Sequence, residues 1–186
     1  MRSFIAIPVS EDIKKHALQI KKELTGTDMD IKWVEYENYH ITLKFLGEIK
    51  KEQLNKIKEK LAFVAQACPK FTLKINEIGF FPNKSRPRVI WLGVRGEIDK
   101  AQFLGERVDT YLGELGFEAE RKRSFHLTLG RIRSERNIDE LLYRTGTING
   151  SIKEQDVYIN EFNLMESLIS SNGPRYTVLG NYRLEG

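Results

Sequence analysis

Tyr-His-Ile-Thr-Leu at residues 39–43 recurs along the chain as Phe-His-Leu-Thr-Leu at residues 125–129. Two of the three histidines of the chain lie in these copies. The alternation of polar and apolar residues predicts a β-strand with one buried face. Side chains two positions apart share a face of a strand, so His40 lies beside Thr42, and His126 and Thr128 repeat the arrangement.

The segments around the two copies alternate between strand and helix patterns. Helical stripes of apolar residues run through positions 13–24, 54–64 and 98–115, and Ser10 is suited to cap the first helix. A short helix is expected at 137–143. Strands are expected at 2–9, 31–34, 39–46, 71–80, 88–94, 125–132, 158–167 and 176–184. The pattern contains no linker, so we expect one domain over residues 1–186, with an α+β fold built on a pseudo-repeat of half the chain.

The composition limits the location and partners of the protein. A chain of 186 residues that is 40% hydrophobic can bury an apolar core. No apolar run approaches the ~18 residues that span a bilayer, and the first residues do not resemble a secretory signal. We therefore expect a cytoplasmic protein without a membrane partner, and the single cysteine, Cys68, fits a reducing compartment. The net charge of +4 favours an anionic partner.

The repeated histidine and threonine predict chemistry at phosphorus if the two strands face each other. One imidazole could take a proton from the nucleophile while the other gives a proton to the leaving oxygen, and the threonine hydroxyls could bind the phosphate oxygens. A structural role for each histidine is the alternative, but core packing does not require the same polar pair twice. A metal site is disfavoured because no Asp, Glu or Cys lies at ligand spacing beside either histidine. We predict no metal and no cofactor.

Beyond these residues, the sequence resembles the two-histidine phosphoesterases, specifically the bacterial and archaeal RNA 2′,3′-cyclic phosphodiesterases, also called 2′-5′ RNA ligases. The resemblance extends over nearly the whole chain. It is carried by residues 2–7, 33–34, 40–47, 80–82, 86–94, 125–133, 166–167 and 173–176.

The resemblance implies a bilobal fold in which duplicated β-α-β units and antiparallel sheets surround a central cleft. It also implies hydrolysis of RNA 2′,3′-cyclic phosphate ends, including those of tRNA fragments, to 2′-phosphates without metal or ATP, and 2′-5′ ligation as the reverse type of reaction. His40 would be the proton donor and His126 the proton acceptor. No obligate protein partner is evident.

Members of this family commonly bind the phosphate with an arginine five residues after the second histidine, which corresponds to Arg131. Strict alternation from His126 reaches Thr128 and Gly130 instead, so Arg131 faces the site only if the strand bulges or twists near Gly130. Lys44 shares the face of His40 without any irregularity, and is either a substrate contact or a solvated lysine at the end of a strand.

Basic and aromatic residues offer further contacts to RNA. The basic clusters are Lys84, Arg86 and Arg88 in a proline-containing turn and the run at 121–123 before the second motif; each is either a guide for RNA or a solvated loop. Phe4, Trp91 and Tyr176 are candidates for stacking on a base, and Phe4 and Trp91 also fit core packing.

Two other functions compete with the RNA cyclic phosphodiesterase. One is a phosphodiesterase that acts on small cyclic nucleotides, and the other is a non-catalytic nucleotide-binding protein of the same fold. The presence of both His40 and His126 argues against the non-catalytic alternative.

Overall fold

The computed structural model describes residues 1–26 and 28–186, which form nine β-strands and four α-helices. The strands are β1 (Arg2–Pro8), β2 (Ile31–Trp33), β3 (His40–Glu48), β4 (Phe71–Phe81), β5 (Val89–Gly96), β6 (His126–Ile132), β7 (Gln155–Ile159), β8 (Glu161–Ser170) and β9 (Gly173–Arg183). The helices are α1 (Glu11–Leu24), α2 (Leu54–Ala67), α3 (Ile98–Gly113) and α4 (Ile138–Asn149).

All the strand pairs are antiparallel, and the strands follow the order β7-β4-β5-β6-β3-β1-β8-β9, with β2 added beside β6. One lobe contains β7, β4, β5, β6 and β2, and the other contains β3, β1, β8 and β9. The expected α+β fold with duplicated β-α-β units around a cleft is confirmed, because β1-α1-β3 in one lobe corresponds to β5-α3-β6 in the other.

The lobes meet where the two motif strands pair, at Ile41 of β3 and Leu127 of β6. Because the strands are antiparallel, this register sets His40 opposite Thr128 and Thr42 opposite His126. A pseudo-twofold axis therefore passes between the two central aliphatic residues. The sheet joins the halves of the protein at the middle of the repeated motif.

Each motif strand carries a β-bulge at the same position of the repeat. In the pairing of β1 with β3, Ile5 faces Lys44 and Ala6 faces Thr42, which leaves Leu43 as an extra residue. In the pairing of β5 with β6, the extra residue is likewise the leucine that follows the motif threonine, Leu129. A bulge reverses the inside-outside alternation beyond it, so both strands change face after the threonine.

The helices cover the apolar side of the sheet and form a single core cluster with it. In α1 the predicted apolar stripe is buried, and the Ser10 side chain accepts a hydrogen bond from the Ile13 backbone N–H at 3.3 Å. The short helix predicted at 137–143 extends to Asn149, and β7 was not predicted. Among the described residues, no helix is long and apolar enough to cross a membrane.

Candidate active site

A cleft of about 570 Å³ lies over the junction of β3 and β6. His40, Thr42, His126 and Thr128 all line it, so the structure brings the four motif side chains to one place. The intervening aliphatic residues point to the other face of the sheet and are buried. The volume is in the range of pockets that hold a small organic ligand, and exceeds what one phosphate group would fill.

His40 is fixed by hydrogen bonds at both ring nitrogens. Its Nδ1 lies 2.8 Å from the backbone carbonyl of Asn38, and its Nε2 lies 2.9 Å from the Thr42 hydroxyl. A carbonyl oxygen only accepts, so Nδ1 carries the proton and, in the neutral ring, Nε2 accepts from Thr42. The ring packs against Phe4 at 5.1 Å and Tyr176 at 5.5 Å between centroids.

His126 has a similar aromatic surrounding but different hydrogen bonding. Its ring packs edge-on against Phe81 at 5.1 Å and lies 6.1 Å from the Trp91 ring. Its Nδ1 is buried and has no hydrogen-bond partner among the residues that the structure describes. The aromatic packing is thus approximately symmetric, whereas the hydrogen bonding at Nδ1 distinguishes the two imidazoles.

The cleft lowers the pKa of both histidines. Burial lowers the pKa of His40, and the nearby His126 lowers it further, while the hydrogen bond to the Asn38 carbonyl acts in the opposite direction. Burial also lowers the pKa of His126, with an additional contribution from the positive charge of Arg131. Both rings are therefore biased toward the neutral form in the free protein.

The two bulges determine which side chain after each motif points into the cleft. In β6 the bulge turns Arg131 toward the cleft, as the family resemblance required and strict alternation did not. In β3 the same bulge turns Phe45, five residues after His40, toward the cleft, where 67% of this residue is exposed. Phe45 was missed in the sequence. The duplication itself contained the signal, because aligning the motifs places Phe45 at the position of Arg131.

The interpretation of Lys44 as a substrate contact is wrong. The bulge at Leu43 turns Lys44 away from the cleft, and the residue is 2% exposed. Its Nζ donates to the Asp109 carboxylate at 2.6 Å and to the Glu118 backbone carbonyl at 2.6 Å. Alternation failed as a guide because an extra residue reverses it.

The basic residues at 121–123 differ in their exposure to solvent. Arg121 and Lys122 are exposed, but Arg123 is buried, and its guanidinium donates to both carboxylate oxygens of Asp109 at 3.1 and 3.2 Å. The cluster at 84–88 lies in an exposed turn and does not line the cleft.

The aromatic candidates occupy different positions. Phe4 and Tyr176 line the cleft, with Phe4 buried under His40 and Tyr176 half-buried beside it. Trp91 does not line the cleft; it packs over Gly79 and against Phe81.

Tyr176 belongs to the β8–β9 hairpin, whose Pro174 carbonyl accepts a hydrogen bond from the Asn38 side chain at 3.0 Å. Asn38, which the sequence did not single out, thereby connects this hairpin to His40.

Arg2 and Lys32 are further cations that line the cleft and were not identified in the sequence. The described residues contain no group of three or more His, Cys, Asp or Glu side chains placed to hold a metal ion.

Fold and site together define a phosphoesterase built from two copies of a histidine-containing strand unit. The sequence matches the model of the LigT-like phosphoesterases over residues 7–91 and again over residues 93–176. The chain belongs to this family. Each match contains one motif, His40 in the first and His126 in the second, in agreement with the duplication in the fold.

Named relatives match over nearly their full lengths. The chain is 33% identical to a Thermotoga maritima protein named RNA 2′,3′-cyclic phosphodiesterase, with 100% of this chain and 97% of the relative covered. It is 36% identical to an Archaeoglobus fulgidus protein of the same name, with 95% and 96% covered.

Solved structures share the fold at lower sequence identity. A Thermus thermophilus protein superposes with a TM-score of 0.79 at 24% identity, covering 100% of this chain and 99% of its own. Escherichia coli LigT complexed with 3′-AMP gives a TM-score of 0.72 at 24% identity, with 100% and 98% covered.

Proposed function

We propose that the protein hydrolyses the 2′,3′-cyclic phosphate ends of RNA to 2′-phosphomonoesters without a metal ion. The observation that carries this proposal is the pairing of two His-x-Thr strands across a pseudo-twofold axis, with all four polar side chains in one cleft. Relatives that match over nearly the whole chain bear the name RNA 2′,3′-cyclic phosphodiesterase, which supports the choice of substrate.

In this mechanism His126 is the general base. It removes a proton from water as the water oxygen forms a bond to phosphorus. The buried Nδ1 of His126 lacks an acceptor among the described residues, and Arg131 places a positive charge nearby. Both features disfavour the charged imidazolium and keep the ring available to accept a proton.

His40 is the general acid that protonates the 3′ oxygen as its bond to phosphorus breaks. The Asn38 carbonyl accepts a hydrogen bond from Nδ1 of His40, and this bond stabilises the imidazolium form of the ring. Among the described residues, Nδ1 of His126 has no such acceptor. When substrate binds, the Thr42 hydroxyl turns from Nε2 of His40 to a phosphate oxygen, and Nε2 becomes free to carry the proton. The negative charge of the phosphate favours that protonation.

Thr42, Thr128 and Arg131 bind the non-bridging phosphate oxygens. The hydroxyls come from opposite sides of the pseudo-twofold axis, and the bulge in β6 brings Arg131 to the same cleft. Donors that are already in place where charge develops lower the barrier without reorganisation. Tyr176 and Phe4 pack on His40 and hold its ring in position for the transfer.

The nucleoside occupies the remainder of the cleft, where Phe45 offers an exposed ring for stacking on the base. The same site would catalyse 2′-5′ ligation when a 5′ hydroxyl replaces water as the nucleophile: a bond from the 5′ oxygen to phosphorus forms, the bond to the 3′ oxygen breaks, and His40 protonates that oxygen as in hydrolysis. The enzyme would act on RNA ends, among them those of tRNA fragments, in the cytoplasm.

The deciding experiment incubates the protein with an oligonucleotide that ends in a 2′,3′-cyclic phosphate, in the presence of EDTA, and separates the products. Conversion to the 2′-phosphate is expected. A 3′-phosphate product, or inhibition by EDTA, would contradict the mechanism. Turnover of cyclic mononucleotides together with inert oligonucleotides would favour the alternative that the enzyme acts on small cyclic nucleotides. Binding without turnover would favour a non-catalytic protein.

A further inference from the structure

Two like charges lie directly opposite each other beside the reaction centre. Lys32 of β2 pairs with Arg131 of β6 in the antiparallel ladder, and both residues line the cleft. Like charges at directly opposite positions destabilise a pair of strands. Within the described part of the chain, no carboxylate lies within 4 Å of either cation, although Glu35 also lines the cleft. Among the described residues, the two positive charges therefore have no direct ion pair, although Glu120 lines the cleft as well.

Lys32 and Arg131 lie at different places relative to the histidines. Arg131 is close enough to His126 to lower its pKa, and its charge also acts on the Tyr176 hydroxyl. The ammonium of Lys32 lies against the tip of the β8–β9 hairpin, where a Cβ on Gly173 would be 3.3 Å from Nζ. The charge of Arg131 thus acts on the reacting groups, whereas the Lys32 ammonium lies at the tip of the hairpin.

We infer that Lys32 binds the internucleotide phosphate on the 5′ side of the terminal nucleoside. This inference rests on the proposed function and specifies its substrate as an RNA chain end in preference to a cyclic mononucleotide. In the proposed mechanism the reactive phosphate already has two hydroxyl donors and Arg131, so the Lys32 ammonium is available for a second anion. Lysine binds phosphate as a point charge, which suits the singly charged diester of an RNA chain.

The choice of a phosphate over other anions follows from the chemistry of the substrate. A ribonucleoside with a cyclic phosphate at its 2′ and 3′ oxygens continues toward the rest of the RNA through its 5′ oxygen, and the next negative charge along the chain is the internucleotide diester. A cyclic mononucleotide without a 5′ phosphate lacks that charge. Contact at this position would therefore distinguish the two substrates without any contact to a base.

The test compares adenosine 2′,3′-cyclic phosphate with the dinucleotide ApA 2′,3′-cyclic phosphate. For Lys32→Met, kcat/KM should fall about tenfold or more with the dinucleotide and less than about twofold with the mononucleotide, because one charge-assisted contact is lost only with the longer substrate. Lys32→Arg should retain most of the dinucleotide rate. The matched control is Lys74→Met, since Lys74 is a strand lysine that pairs with Asp156 outside the cleft.

A second measurement changes the substrate and leaves the protein intact. Replacing the internucleotide diester by a neutral methylphosphonate should lower kcat/KM of the unmodified enzyme to the value that Lys32→Met shows with the ordinary dinucleotide. The same replacement should have little effect on Lys32→Met. With a single-stranded oligonucleotide that ends in a cyclic phosphate, loss of the contact should also reduce the slope of log KM against log salt concentration by about 0.7, the value for one contact to a single strand.

The outcomes separate this inference from the proposed function. Absence of turnover with both substrates overturns the proposed function and the inference with it. Turnover of both substrates with equal losses in Lys32→Met overturns the inference alone, because Lys32 would then act on the reactive phosphate. Insensitivity of the unmodified enzyme to the methylphosphonate also overturns it, whether or not the variants fold.

Discussion

Arg123 donates from Nε to the backbone carbonyl of Leu43 at 2.8 Å, which links the bulge of the first motif to the segment that enters the second. The same guanidinium binds Asp109 of α3, and Asp109 also accepts from Lys44. Both cations and the carboxylate are buried. This network fixes the backbone of β3 at the point where the strand changes face, so we expect it to control the position of Thr42 and Phe45.

Asp109→Asn should destabilise the protein by about 3–5 kcal/mol, because breaking a buried ion pair leaves uncompensated charges in the interior. Urea denaturation at neutral pH gives the free energy of unfolding. The control is Asp156→Asn, which removes the exposed partner of Lys74 and should cost about 0–1 kcal/mol. Equal effects of the two substitutions would show that the buried network contributes no more than a surface pair.

The contribution of Asp109 should disappear in acid. Burial acts to raise the pKa of this carboxyl, but the hydrogen bonds and charges of Lys44 and Arg123 outweigh burial and hold the pKa below its ordinary value. A carboxyl whose pKa is lowered by folding stabilises the native state above its unfolded pKa of about 3.9, and this stability is lost as the pH falls through the folded pKa. The difference between wild type and Asp109→Asn should therefore shrink below about pH 4. A difference that is constant from pH 7 to pH 3 would contradict this assignment.

His40→Ala and His126→Ala should each lower kcat on a cyclic phosphate end by about 10²–10⁴, the usual contribution of a general acid or base. Both variants should fold, because neither ring belongs to the apolar core cluster. His16→Ala is the matched control, since this third histidine lies on α1 and does not line the cleft. Near wild-type kcat in either motif variant, with circular dichroism showing an intact fold, would exclude the proposed pair.

Periodicity predicts the site only as far as residues obey strict alternation; beyond the bulges, the family resemblance indicates Arg131 and the alignment of the two motifs indicates Phe45. His40, Thr42, His126 and Thr128 precede the bulges, and periodicity correctly placed them on one face. The bulges themselves depend on long-range pairing with β1 and β5, which a local pattern does not contain. Lys44 was therefore assigned to the wrong side of β3.

The position that follows each bulged leucine shows why the two halves diverge. In β6 this position is Gly130, where a Cβ would lie 3.0 Å from the Trp33 ring, because β2 pairs with β6 there and Trp33 faces Gly130. In β3 the equivalent position is Lys44, whose side chain extends to Asp109. The two motifs are similar in sequence, but the position after the bulged leucine packs against different residues in each half. Trp33 leaves little space for a side chain at Gly130, whereas Asp109 pairs with the side chain of Lys44.

The acid and base roles can be separated with an activated substrate. A nitrophenyl phosphodiester has a leaving group that needs no proton, so it should restore kcat in His40→Ala and leave His126→Ala impaired, provided that the wild type accepts this substrate. The pH profile of kcat/KM should be bell-shaped, with its maximum on the acidic side of neutrality, since burial lowers the pKa of both histidines in the free enzyme. Recovery of His126→Ala instead would reverse the assignment, and a maximum well above neutrality would contradict the pKa directions.

Phe45→Ala should raise KM for nucleoside 2′,3′-cyclic phosphates while kcat changes little, because in the proposed binding mode the exposed ring stacks on the base and does not touch the reacting phosphorus. Stacking of a base on an aromatic side chain contributes about 1–3 kcal/mol, which corresponds to an increase in KM of roughly 5- to 150-fold. The same variant should act normally on a ribose 2′,3′-cyclic phosphate that carries no base. Phe103→Ala is the control, since Phe103 is 41% exposed on α3 and lies outside the cleft. If Phe45→Ala impaired the base-free substrate equally, Phe45 would act by holding β3 in place and not by binding the base.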